Sequence, residues 1–252
     1  MRTLRLILAY DGAAYAGWQM QADKPTVQQA LEDALRQVTG GEQIRPVASS
    51  RTDAGVHALG QLVSFTTQSR LPAEVFCRAL NAVLPDDIHV VQAEDAPFNF
   101  HAIRDQVGKR YRYVVQHGKP RDLFARGYAW HVPQTLDVAA MTAAATGLVG
   151  THDFCAFENQ GSEREDTVRT VHELVVLPKR IHGADHLHIE IAGDGFLYNM
   201  VRNIAGTLVT VGRGKYPPEW PAQVLASRDR TLGGMTAPPQ GLFLLHVDYR
   251  EQ

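Results

Sequence analysis

The chain is short of cysteine, of long apolar runs and of any surplus of one charge. Only Cys77 and Cys155 occur in 252 residues, in the strings Val-Phe-Cys-Arg-Ala-Leu and Asp-Phe-Cys-Ala-Phe. Small buried thiols are expected there, with no disulfide, no pair of ligands and no redox chemistry. The brief apolar run before Asp11 is too short for a signal-peptide core or a membrane span, so a cytoplasmic protein with no membrane partner is expected. Lysine and arginine number 25 against 27 acidic residues, a formal net charge of −2. A polyanion would have to be held by positive charge gathered on one face. No low-complexity linker interrupts the chain. The 11 histidines form no complete ligand set: His186 and His188 alternate along a strand with His182 before them, but no cysteine or carboxylate pattern completes a site. Scattered surface histidine and no metal are expected.

What remains is ordinary globular usage, 44% hydrophobic and 21% charged, in a length that suits one large domain or two of roughly 100 to 130 residues. The densest basic cluster runs from Arg104 to Arg112 through Lys109 and Arg110, with weaker ones at Lys179-Arg180 and at Arg213 with Lys215. Composition alone reads such runs as solvated faces.

The first hundred residues alternate strands and helices in the order βαββαβ. Leu4 to Tyr10 is a strand, and a helix follows with Val27, Ala30, Leu31, Ala34, Leu35 and Val38 on one stripe. Thr26 and Gln29 form its capping box. Strands are expected at Ile44 to Ala48, Gln61 to Thr67 and Ile88 to Gln92, with a second helix opening at Pro72. The series restarts at Lys109. A two-faced strand spans Arg110 to Val115, a helix capped by Asp137 spans Val138 to Val149, and strands cover Val171 to Leu177 and His186 to Ile191. A long helix from Phe196 to Val211, an inserted helix from Pro217 to Ala226 and a closing strand from Leu242 to Tyr249 complete it. The simplest architecture is α+β: two tandem ferredoxin-like (RRM-like) βαββαβ units, with antiparallel sheets joined into one extended sheet, residues 1–105 and 106–252. An open sheet of this topology is a common RNA platform, but fold alone proves no function.

The segment Ser50-Arg51-Thr52-Asp53-Ala54-Gly55-Val56-His57-Ala58 sets a carboxylate beside a cation and a histidine in a turn between two strands. Arg51 would hold Asp53 ionised, and Gly55 admits a backbone conformation closed to other residues. An alternative is a plain turn in which Asp53 caps its own backbone.

The string RTDAGVHA resembles the signature of the TruA family of tRNA pseudouridine synthases. So do, in order, Tyr10-Asp11-Gly12, Gly17-Trp18-Gln19 with Gln21, Thr26-Val27-Gln28, Phe100-His101-Ala102, Lys109-Arg110-Tyr111-Arg112-Tyr113, Met200-Val201-Arg202-Asn203-Ile204 and Gly241-Leu242. The resemblance covers nearly the whole chain and implies the pseudouridine synthase fold. Ser49-Ser50 stands where many members carry Ala-Gly, and Ile103 where an arginine is common, a charge that Arg104 would supply from the next position.

The resemblance implies an isomerase of uridine in the anticodon stem-loop of tRNA, positions 38 to 40, working as a homodimer without cofactor. It makes Asp53 the catalytic nucleophile, attacking base or ribose. Tyr111 stacks on the flipped uracil, Arg202 pairs with Asp53, and Leu242 closes the pocket; Tyr113 is read as a buried-face aromatic. Arg51, His57, Arg104, Lys109 and Arg110 are the other substrate-binding candidates. Trp18 and Gln19 are open between a conformational role in an exposed loop and a tRNA contact. Arg202 falls beside the apolar stripe of Leu197, Met200, Val201, Ile204 and Leu208, with Asn199 and Gly206 on its own face, the glycine allowing another segment close; Arg228 and Arg230 read as exposed arginines. A non-catalytic tandem RRM-like RNA-binding protein is the alternative, though the strand KRYRYVV lacks the RRM string. A structural dimer-forming protein is a third reading.

Overall fold

The computed structural model describes residues 1–161 and 166–250. The chain divides into two compact units, Met1–Val107 with Phe243–Gln252, and Gly108–Leu242. Both mix helices and sheet, as the α+β expectation requires.

In the first unit, strand β1 (Arg2–Tyr10) lies between β3 (His57–Thr67) and β4 (Ile88–Ala96), antiparallel to both. Leu4, Leu6, Leu8 and Tyr10 of β1 turn inward and are buried, the period of two a half-covered strand needs. Helix α1 (Val27–Val38) buries Val27, Leu31, Ala34 and Leu35. Its capping box is half made: Thr26 accepts from the Gln29 amide at 3.3 Å, but the Gln29 carboxamide donates to Asp33 instead of returning to the cap. The strand expected from Ile44 shrinks to β2 (Val47–Ala48), paired with β3. Pro46 has no amide hydrogen to give a ladder. Helix α2 (Ala73–Asn81) starts after Pro72 as expected. The sheet's other face carries a small cluster of Leu62, Phe100 and Ala102 with Tyr249 against it.

In the second unit, β5 (Gln106–His117) pairs antiparallel with β9 (Ala184–Gly193), β9 with β8 (Val168–Ile181), and β8 with β7 (Gly150–Asp153). Short β6 (Trp130–Val132) runs parallel to the end of β5. Neither β6 nor β7 carries enough alternation to be read from sequence. Helix α3 (Val138–Thr146) is capped by Asp137, which accepts from the Ala140 amide at 2.9 Å. Helix α4 (Met200–Gly212) begins four residues later than expected because Asn199 takes φ 60°, outside the helical region. The inserted helix is α5 (Trp220–Ser227). The closing strand β10 (Leu242–Tyr249) falls where expected and pairs in parallel with β3, Phe243 opposite His57.

Both cysteines are free and half-buried. The surface reading of the histidines is corrected: His57 and His186 are buried, because each stands on an inward position of a strand. Among the described residues no cluster of metal-binding side chains occurs, and no helix is long and apolar enough to cross a membrane.

Candidate active site

Asp53 lies in the loop between β2 and β3, half-buried, with Arg51 exposed beside it. The Val56 amide donates to the Asp53 carbonyl at 3.1 Å and closes a turn in which Gly55 takes φ 75°. A second loop, residues 11–18, passes beneath this turn and fixes it. The Trp18 amide donates to the Thr52 carbonyl at 3.0 Å, and the Gly55 amide to the Tyr15 carbonyl at 3.3 Å. A Cβ on Gly17, whose φ is 100°, would lie 2.6 Å from the Thr52 oxygen, and one on Gly12 would lie 1.9 Å from the Val56 oxygen. Only glycine lets the two backbones approach so closely. The Tyr10 and Thr52 hydroxyls bond at 2.8 Å. Tyr15 donates to Asp87 at 2.5 Å, and burial, helped by Asp87, pushes its phenol far above the ordinary range.

Trp18 is buried, 6.3 Å from the Tyr10 ring, which corrects the expectation of an exposed loop at this position. The indole fills the space beneath the loop; Gln19 follows it and is exposed. His57 is buried too, stacked on Phe243 at 4.7 Å, with Nδ1 at 3.1 Å from the Gly12 amide and 3.0 Å from Asp11. Because one nitrogen cannot accept from the amide and donate to the carboxylate together, the tautomer decides which bond is made. Before β3 the Ser49 hydroxyl donates to Gln61 at 2.8 Å and the Gln61 carboxamide to the Ser50 carbonyl at 2.5 Å. Arg104 is 66% exposed, bonded to the Asn99 carbonyl and to Asp105. The His101 amide, with Arg104 behind it, holds the Asp105 carboxyl below its usual range.

In the second unit Tyr111 is buried on β5, edge-on to Phe196 at 5.3 Å. Two residues along, Tyr113 is fully buried as expected and donates to the Pro238 carbonyl at 2.7 Å; burial raises its phenol beyond reach of ordinary pH. A Cβ on Gly241 would come within 2.7 Å of the Tyr113 ring, which accounts for Gly241 beside buried Leu242. Arg202 on α4 donates to the Ala237 carbonyl at 2.8 Å and to Asn199 at 2.6 Å. The turn before α4 thus touches both candidates, Phe196 against Tyr111 and Asn199 against Arg202. The close approach expected at Gly206 is present: a Cβ there would sit 1.8 Å from the Met235 oxygen.

Arg230, expected on the surface, is half-buried and bonds Asn159, Asn203 and Thr236 at 2.8 to 3.2 Å. Burial lowers its pKa. No sequence signal marks it, since its partners come from three separate segments. The basic cluster of β5 is also altered by its neighbours. Arg112 donates twice to Glu190, at 2.9 and 2.7 Å, and Arg110 lies 2.6 Å from Glu173 and 3.6 Å from Glu190. Lys109 stands opposite Gly193 on β9.

Comparison with known proteins gives these residues a context. The tRNA pseudouridine synthase family model matches residues 6–104 and 144–250. A protein of Thermoanaerobacter sp. (strain X514) named tRNA pseudouridine synthase A is 46% identical over 249 residues, 99% of this chain and 100% of the relative. Relatives of the same name in Exiguobacterium sp. (strain ATCC BAA-1283 / AT1b) and Geotalea daltonii (strain DSM 22248 / JCM 15807 / FRC-32) are 45% and 42% identical; the alignments span 100% and 99% of this chain and 99% and 100% of the relatives. Full-length identity at this level sets aside the non-catalytic and purely structural readings, and the chain belongs to the tRNA pseudouridine synthase family, an enzyme of the isomerase class.

Proposed function

We propose that this enzyme converts uridine to pseudouridine in the anticodon stem-loop of tRNA, at positions 38 to 40, with Asp53 as nucleophile. The observation that carries the assignment is the built ledge under Asp53. Two glycines admit a second loop into close backbone contact with the Thr52–Val56 segment. A turn residue that merely capped its own backbone would need no such support, whereas a carboxylate that must meet a flipped nucleoside gains from being held.

The reaction breaks the bond between N1 and C1′, turns the uracil, and joins C1′ to C5. The C5 proton leaves and N1 takes one up, so atoms balance with no oxidant or metal. Asp53 adds to the base or the ribose while the bond is open. Tyr111 supplies a face for the uracil, Leu242 an apolar wall, and Arg202 a positive charge for Asp53. The family resemblance further supports a cytoplasmic homodimer. No cofactor enters the scheme, so turnover is expected to survive a chelator once the tRNA is folded.

Release of tritium from C5-labelled uridine in tRNA tests the reading. Asp53→Asn is expected to remove turnover, beyond the roughly hundred- to ten-thousandfold typical of a lost general base, with tRNA affinity retained. Turnover within tenfold of wild type, or loss of tRNA binding in a folded Asp53→Asn protein, would make Asp53 a structural turn residue.

A further inference from the structure

We propose that the segment from Lys119 to His131 forms a second nucleotide-binding site, distinct from Asp53 and its loop, which takes a phosphodiester of tRNA between Arg121 and Arg126 and an unstacked base on Phe124. The segment lies outside the residues matched by the family model, and the inference rests on tRNA being the substrate.

The first support is a charge account. The arginines of the sequence's densest basic cluster are committed to carboxylates, Arg110 to Glu173 and Glu190, Arg112 to Glu190, Arg104 to Asp105. Arg121 and Arg126 are exposed and form no ion pair among the described residues; Arg126 donates only to the Leu123 carbonyl, at 3.3 Å. Cations not paired with a carboxylate are the ones whose bound counterions a phosphate can replace.

The second support is shape. A cavity of about 230 Å³ is lined by Arg121, Arg126, His131, Trp130, Gln116 and Asp122. Its floor is rigid. Buried Gln116 donates to the Pro120 carbonyl at 3.1 Å and accepts from the Asp122 amide at 3.4 Å. Buried Asp122 accepts from the Phe124 and Ala125 amides at 2.9 and 3.3 Å, and its other oxygen lies 3.0 Å from His182. The one negative charge in the cavity is therefore engaged by the loop that it shapes, and the loop is ordered before any ligand arrives, which lowers the entropy cost of binding.

The third support is the apolar crest. Phe124 is 79% exposed and Leu123 63%, side by side between the two arginines. An exposed ring in the same short loop as two exposed guanidinium groups fits a base stacked beside a bound phosphate.

The test uses the full-length protein and unmodified tRNA, with affinity measured over a salt series, single-turnover rate at saturating tRNA, and sedimentation velocity. Arg121→Ala with Arg126→Ala should raise Kd about tenfold or more and lower the slope of log Kd against log salt by about 0.7 to 0.9, the share of the one phosphate they clamp, while Arg121→Lys with Arg126→Lys keeps the slope. Phe124→Ala should raise Kd by about tenfold. Single-turnover rate at saturation should stay at the wild-type value in all three. Unchanged Kd and slope in the alanine variants would overturn the site. So would a Phe124→Ala protein that loses self-association but keeps tRNA affinity, since the crest would then be an interface between copies of this chain. Wild-type protein that bound no tRNA would remove the reading beneath it.

Discussion

Asp53 owes its position to residues that do no chemistry. Gly12 and Gly17 act by lacking a side chain, and Trp18 and His57 act by filling the space beneath the loop. Gly17→Ala combines an unfavourable φ of 100° with a Cβ 2.6 Å from the Thr52 oxygen, so the backbone of Thr52 and Asp53 must shift. The expected outcome is a fall in single-turnover rate on the order of a hundredfold, as about 1 Å of misplacement typically costs, with tRNA Kd near wild type. A rate within threefold of wild type would show that Asp53 tolerates displacement and is not the attacking group. The RTDAGVHA string marks this site in the sequence, but the neighbouring glycines and tryptophan read there only as further blocks of resemblance, because their partner is a backbone some forty residues away.

At the scale of elements, α4 and the irregular strap from Gly233 to Pro239 form one body. Gly206 and Gly234 let the backbones touch, Arg202 bonds Ala237 in both directions, and Tyr113 holds Pro238. Arg230 locks the strap from behind through Asn159, Asn203 and Thr236. Arg230→Met leaves those acceptors without their cation, a cost on the order of 2 kcal/mol. Tm is expected to fall by about 4 to 8 °C for a chain of this size. An unchanged Tm in thermal unfolding followed by circular dichroism would show the network to be replaceable by water. Helix α4 was legible in its apolar stripe; its late start at Asn199 was not, since the left-handed residue is chosen by what Phe196 and Asn199 touch.

For the molecule as a whole, charge and pH behaviour follow from which groups the fold buries. His188 is pushed down to about 4, first by burial and then by Arg112 and Lys179. Its unfolded value is near 6.5, so the unfolded chain binds the proton more readily. The contribution of this group is complete above pH 6.5 and is lost as pH falls toward 4. Tm should therefore drop across that window more steeply in wild type than in His188→Gln, and parallel profiles would show that His188 is not the group responsible.

The sequence by itself determined the periodic elements, the position of the Asp53 loop and the family. These are set by local pattern and by short strings whose chemistry reads in place. Tertiary structure decided which cations are free, because ion pairs such as Arg112 with Glu190 join residues that pairing of β5 with β9 brings opposite each other. It also decided that Trp18 and Arg230 turn inward, since burial is a property of neighbours and a chain read residue by residue does not carry them.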